Sequence, residues 1–161
     1  ANIMKSTSGL FLNTGREISA AYPDIAFEEM IVDNCAMQLV MNPERFDIIV
    51  TTNLFGDILS DLCAGLIGGL GLAPGANLGH DHAIFEAVHG SAPDIAGLGI
   101  ANPTALLLAT AMMLDHLELG DAATRLRSAI KQTLTQGEYK TSDLGGEAST
   151  EQYTQALVKA L

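Results

Sequence analysis

The chain has no tryptophan, only two cysteines, and 8 basic residues against 19 acidic ones in 161 positions. Each shortage excludes something. With a formal charge of −11 and no basic stripe, nucleic acid and anionic membrane surfaces are ruled out as expected partners. Cys35 and Cys63 form no CxxC pair, and each lies in an apolar helical pattern, as buried, reduced thiols of a cytosol-like compartment would. The longest charge-free apolar run that could be helical, residues 105–114, is too short to span a bilayer. The start, Ala1-Asn-Ile-Met-Lys5, has neither initiator methionine nor an apolar signal region, so it reads as sequence from within a longer protein. The four arginines, Arg16, Arg45, Arg125 and Arg127, are scattered. What is abundant is apolar: 48% hydrophobic and 17% charged residues indicate a soluble α/β globular chain, with length for one core and not for two complete domains.

Residues 10–21 carry a helical period ended by Tyr22-Pro-Asp24. Residues 25–32 alternate as a strand does, and Asp33 stands where the N-cap of an apolar helix over 35–41 is expected. Asn42-Pro43 stops that helix. Residues 46–52, Phe-Asp-Ile-Ile-Val-Thr-Thr, have the short β-branched pattern of a buried strand. The glycine-rich run 68–79 reads as a hinge and domain boundary, which divides the chain into 1–67 and 68–161. A strand over 83–88, a loop over 89–97, and a long apolar helix opened by Pro103 at its first position follow. An amphipathic helix over 121–135, a loop over 139–146 and a Ser/Thr-capped terminal helix over 149–161 complete the pattern.

Asp57 and Asp61 lie four apart among apolar neighbours. On a helix that spacing puts both carboxylates on one face, one turn apart, where they repel unless a cation sits between them. A solvated pair on a helix surface is the plainer alternative. Asp33 is a third carboxylate on a neighbouring helix. Three such oxygens brought together would suit a hard divalent ion, Mg²⁺ or Mn²⁺ rather than Zn²⁺. The glycine run fails the dinucleotide fingerprint, because Pro74 stands where the third glycine should be. In the loop after Val88, Gly90, Ser91 and Ala92 would let a planar ligand approach the backbone, His89 would stack on a base, and Asp94 offers two acceptors to a ribose diol. An ordinary turn explains the same residues equally well. His80-Asp-His82 lacks a third ligand and reads as a polar loop tip, and His116 as a surface residue facing a helix end.

Taken together, Ala1-Asn-Ile-Met4, Val32-Asp-Asn34, Asn53-Leu-Phe-Gly-Asp-Ile-Leu-Ser-Asp61, His89-Gly-Ser-Ala-Pro-Asp94 and Ala101-Asn-Pro103 resemble, in order, the decarboxylating β-hydroxyacid dehydrogenases, the isocitrate/isopropylmalate dehydrogenase family. The resemblance covers essentially the whole chain. Within the family, Gly68-Gly-Leu-Gly-Leu-Ala-Pro-Gly-Ala-Asn77 and Ala83-Ile-Phe-Glu-Ala-Val-His89 are similar to the isocitrate-using branch. The isopropylmalate-using branch usually has Ser-Leu-Gly-Leu-Leu-Pro-Ser-Ala and Glu-Pro there.

The resemblance implies an α/β fold of that family, not a Rossmann fold, present as a partial two-lobed chain. Residues 1–67 would belong to a small metal-binding and dimerisation lobe, 68–161 to a large cofactor lobe. It implies Asp57 and Asp61 as metal ligands, and Asp33 as a ligand reaching into a partner subunit's site. Asp33 and Asp57 would serve catalysis. Asn2, Glu86, His89, Gly90, Ala92, Asp94, Ile95, Asn102 and Asp143 match cofactor positions. Asp94-Ile95 stands where NADP-using relatives tend to have Lys-Tyr, and Gly146 near where they have Arg, so NAD is the expected cofactor. Isocitrate is the expected substrate, isopropylmalate and homoisocitrate the alternatives, and a homodimer or larger oligomer the expected assembly. The location implied is cytoplasmic, or the mitochondrial matrix in a eukaryote. The family's substrate-binding serine and arginines, catalytic tyrosine and catalytic lysine come from a segment before Ala1, in keeping with the scarcity of arginine here. The chain alone is therefore expected to be inactive. A non-catalytic nucleotide-binding or assembly module on the same fold is the other reading.

Overall fold

The computed structural model describes all residues, 1–161. The chain divides into two compact units, Ala1–Leu62 and Cys63–Leu161, with the division falling inside a helix.

The first unit contains α1 (Thr7–Ser19), α2 (Val32–Met41) and most of α3 (Asn53–Leu66). Helix α1 occupies the expected stretch and α3 carries Asp57 and Asp61, as their spacing required. Asp33 is not the N-cap of α2. Ile31 holds that position and Asp33 lies in the first turn, where a carboxylate still complements the helix dipole. Neither expected strand forms. Residues 25–31 and 46–52 are irregular and join no ladder, since the chain's single sheet has two strands and both lie elsewhere; Val32 already belongs to α2. A strand needs a neighbour to satisfy its N–H and C=O groups, and this chain supplies none there. The β-branched side chains consequently face solvent, Ile48 at 85% and Val50 at 76% exposure. Burial in the unit is thin: Cys35, Leu39 and Leu59 are its buried apolar side chains, while Met37, Val40, Leu54 and Ile58 are exposed.

The second unit has a real core. Strands β1 (Pro74–Leu78) and β2 (Ala83–Ala87) form an antiparallel hairpin in which Gly75 faces Glu86 and Asn77 faces Ile84. The glycine run is therefore not one hinge. Its first part turns at Gly68 and Gly69, both in the positive-φ region that favours glycine, and its second part is a strand. Three helices follow: α4 (Thr104–His116), α5 (Gly120–Gln136) and α6 (Thr150–Ala160). Pro103 is the N-cap of α4 rather than its first residue. Helix α4 is apolar nearly all round, the composition of an element covered on several sides, and it touches β1, β2, the 3₁₀ turn Leu70–Leu72 and α5. Fully buried Ala105 and Ala109, one turn apart, permit close approach there. Helix α6 begins with a capping box, the Ser149 hydroxyl accepting from the Gln152 N–H while the Gln152 side chain accepts from the Ser149 N–H.

Ala111, Leu126, Ala129, Ile130, Tyr153 and Leu157 form the core where α4, α5 and α6 meet. Ile130→Ala would empty a site whose neighbours are already packed, and should cost about 2–5 kcal/mol, read as a lowered denaturant midpoint at constant slope. Neither cysteine is in a disulfide; Cys35 is buried in α2 and Cys63 half-buried in α3. No helix is long and apolar enough to cross a membrane.

Candidate functional site

The carboxylates of α3 arise from its period. Asp57 and Asp61 share a face and both are exposed, so solvent screens their repulsion and burial does not aggravate it. The Asp57 carbonyl accepts from the Ser60 hydroxyl at 3.1 Å, an ordinary bond within the helix. Asp33 is also exposed, with Oδ1 accepting from the Asn34 N–H at 2.6 Å. No trio of His, Cys, Asp and Glu side chains gathers closely enough to hold a metal. The chain therefore pairs Asp57 with Asp61 and does not bring Asp33 to them. A pair of exposed carboxylates one turn apart still fits Mg²⁺ or Mn²⁺, which take one or two protein carboxylates and fill the remaining positions with water or substrate oxygen.

The nominated cofactor residues other than Asn2 all lie in the second unit; Asn2 sits in the irregular, exposed start of the first. Glu86 projects from β2 and accepts from the Asn77 amide of β1 at 2.8 Å. In the loop beyond β2, the His89 Nδ1 lies 3.0 Å from the Gly90 carbonyl, and a side chain at Gly90 would meet nothing within 4 Å. Ala92 takes a left-handed conformation (φ 43°), which turns the chain into the 3₁₀ segment Pro93–Ile95 bearing Asp94. The loop is exposed throughout.

Asn102 and Asp143, 41 residues apart, meet: the Asn102 Nδ2 donates to Asp143 Oδ2 at 2.8 Å. The other Asn102 group is also occupied, since Oδ1 accepts from the Thr104 N–H at 3.0 Å, an Asx turn that opens α4. The buried Thr141 hydroxyl donates to Asp143 Oδ1. A side chain on Gly71 would place Cβ 3.3 Å from Asp143 Oδ2 and 3.6 Å from Asn102 Cβ, so this glycine makes room for the pair. Behind them, the fully buried Thr104 hydroxyl donates to the Tyr153 oxygen at 2.7 Å. Burial pushes the Tyr153 phenol above its ordinary 10.0; the Thr104 hydrogen bond opposes the rise and the Asp143 charge adds to it. Sequence reasoning missed Gly71, Thr104, Thr141 and Tyr153. Only Thr104 left a local signal, the Asn-Pro-Thr string of an Asx turn.

The family model for isocitrate/isopropylmalate dehydrogenase matches residues 1–160. The chain belongs to that family. An isocitrate/homoisocitrate dehydrogenase of Thermus thermophilus is 60% identical over 161 residues, covering 100% of this chain and 48% of that protein. The mitochondrial isocitrate dehydrogenase [NAD] catalytic subunit 5 of Arabidopsis thaliana is 56% identical over 158 residues, covering 98% and 42%. Among solved structures, isocitrate dehydrogenase from Methylococcus capsulatus superposes with a TM-score of 0.93 at 59% identity, covering 99% of this chain and 48% of that one. The chain thus spans about half the length of the curated relatives it matches, and its architecture is a partial form of the family's α/β fold.

Proposed function

We propose that this chain is the C-terminal part of a metal-dependent, NAD-linked isocitrate dehydrogenase, which converts isocitrate to 2-oxoglutarate, CO₂ and NADH. The observation that carries the reading is the alignment of Asp57 and Asp61 on one face of α3 in a member of this family. These two would hold Mg²⁺ or Mn²⁺, with Asp33 completing a partner subunit's site, since the chain gathers no third ligand around its own pair. When bound, the ion held by Asp57 and Asp61 would supply Lewis-acid stabilisation of developing negative charge, and a dinucleotide held by the cofactor residues would supply redox capacity. The role left to this chain is orientation. Residues 1–67 form the metal-bearing and dimer-forming lobe, and 68–161 the cofactor lobe. In support, the metal carboxylates fall in one compact unit and all the cofactor residues but Asn2 in the other. The exposed apolar side chains of α2 and α3 suit a helical interface between subunits.

The test is NADH formation by the complete protein carrying this chain, with isocitrate and Mn²⁺. Turnover supports the reading. NAD binding without turnover on isocitrate, homoisocitrate or isopropylmalate would instead make it a nucleotide-binding module. Homoisocitrate is the second substrate to assay, because the Thermus relative is named for both acids. One methylene shifts kcat/KM by about 10–200-fold in a fitted pocket, enough to separate them.

NAD is favoured over NADP by Asp94, whose carboxylate accepts from ribose hydroxyls and repels a 2′-phosphate; the Arabidopsis relative's name also carries NAD. Asp94 and Ile95 are part of an exposed 3₁₀ turn, so Asp94→Lys with Ile95→Tyr should fold normally. The double variant of the complete enzyme is expected to lower the NAD/NADP ratio of kcat/KM by about tenfold or more, the effect of exchanging one close charge repulsion for an attraction. An unchanged ratio would remove the assignment.

A further inference from the structure

The segment bearing Asn102 is held from one side by the first turn of α6. The Thr150 N–H donates to the Gly99 carbonyl at 2.8 Å, the Thr150 hydroxyl donates to the Ala101 carbonyl at 2.5 Å, and Tyr153 accepts from the Thr104 hydroxyl at 2.7 Å. Thr104 and Tyr153 are both at 0% exposure, so neither can touch a ligand. Phenylalanine and valine would fill the same space without leaving polar groups in need of partners. The hydroxyl pair therefore acts through direction rather than through burial. What it directs is the Asn102 amide: Thr104 supplies the N–H that fixes the Asn102 Oδ1, and the other end of that amide holds Asp143.

We infer that Tyr153 and Thr150 are positioning residues for the dinucleotide site, locking the 99–104 segment to α6 and thereby aiming the Asn102 amide and the Asp143 carboxylate. The inference rests on the reading that Asn102 and Asp143 serve the cofactor. A displaced segment would misplace both groups together, because every polar atom of the Asn102 side chain is already engaged. The consequence is specific to dinucleotide affinity and leaves the metal carboxylates of α3 untouched.

The test compares Tyr153→Phe, Thr104→Val, their combination and Thr104→Ser in the complete protein. Each of the first two is expected to raise KM for NAD about three- to tenfold, the effect of one lost hydrogen bond, with kcat and the KM for the hydroxy acid within about twofold of wild type. The combination should be no worse than either alone, as for a coupled pair, and Thr104→Ser should retain wild-type KM. Calorimetric titration with NAD alone gives the independent arm. If the wild-type protein binds no NAD, the cofactor reading itself has failed. If wild type binds and the variants bind equally well with only a lower Tm, the pair is merely structural and the inference is overturned. Should Tyr153→Phe not fold, Thr150→Val removes one hydroxyl bond at a half-buried edge and carries the same expectation and the same refutation.

Discussion

Asp57→Asn in the complete enzyme is expected to reduce kcat with isocitrate and Mn²⁺ by at least about 100-fold, the scale of losing one charged group aimed at developing charge. Asparagine preserves the shape of the side chain and removes its charge, so the fold of α3 should be unaffected. In the metal-free protein the substitution even removes a like-charge pair with Asp61 one turn away, worth about 0.2–0.5 kcal/mol in an isolated helix. Lost turnover should therefore accompany an unchanged or slightly raised Tm without metal. Added Mn²⁺ should raise the Tm of wild type by mass action and raise that of the variant much less. Ser60→Ala, which loses only an exposed bond to the Asp57 carbonyl, is the control on the same helix. Turnover and metal-induced stabilisation that both survive Asp57→Asn would show that the two aspartates are a solvated helix face after all.

The elements read correctly from sequence are those whose instructions are local. The period of α3, the apolar run of α4 and the Ser149–Gln152 capping box each lie within one or a few turns, and nothing distant is needed to realise them. Strands depend on distant partners. Residues 46–52 have every local mark of a buried strand, yet their fate is decided by whether a neighbouring strand exists, and the only pairing in the chain is β1 with β2. The opposite error came from glycine. The run 68–79 looked like punctuation because glycine and proline usually break structure, but Pro74–Leu78 is paired through its full length with Ala83–Ala87. The better signal was the spacing of two short runs around Gly79-His-Asp-His82, where the Gly79 N–H closes the hairpin on the His82 carbonyl at 2.9 Å.

The same division runs through the site. Asp57 and Asp61 could be nominated from spacing because one helix turn relates them. No spacing relates Asn102 to Asp143, and resemblance alone suggested that both belong to one site; the hydrogen bond between them shows that the fold does bring them together. Their supports were invisible for a physical reason. Thr141 and Tyr153 are ordinary residues made particular only by being fully buried with their hydroxyls occupied, and burial is a property of the assembled unit. Asp33 is the residual case: its position on α2 is ordinary within this chain, and its proposed role exists only across an interface with a second subunit.

Gly146→Ala should be the most destabilising single-methyl addition in the chain. A Cβ at Gly146 would collide with the Lys140 carbonyl oxygen and lie 2.5 Å from its carbon, which is backbone and cannot swing aside as a side-chain end would. Relief requires moving a segment that is closed by several bonds: the Gly146 N–H donates to the Thr141 carbonyl at 3.0 Å and the Ala148 N–H to the Lys140 carbonyl at 2.9 Å. The loop so closed carries Thr141 and Asp143, hence the partner of Asn102. We expect a loss of about 3 kcal/mol or more, at the upper end for overpacking a rigid site, with weakened NAD binding in whatever folds. Two neighbouring substitutions calibrate the effect. Gly145→Ala meets no atom within 4 Å but keeps a φ of +76°, and should cost only the left-handed penalty of about 1–2 kcal/mol. Gly120→Ala, at the start of α5 with open space around it, should be neutral or stabilise by up to about 1 kcal/mol. Denaturant unfolding of the three variants should therefore rank them 120, 145, 146 in falling stability. If Gly146→Ala proved as mild as Gly145→Ala, the closure of this loop over Asp143 would be far softer than its geometry implies.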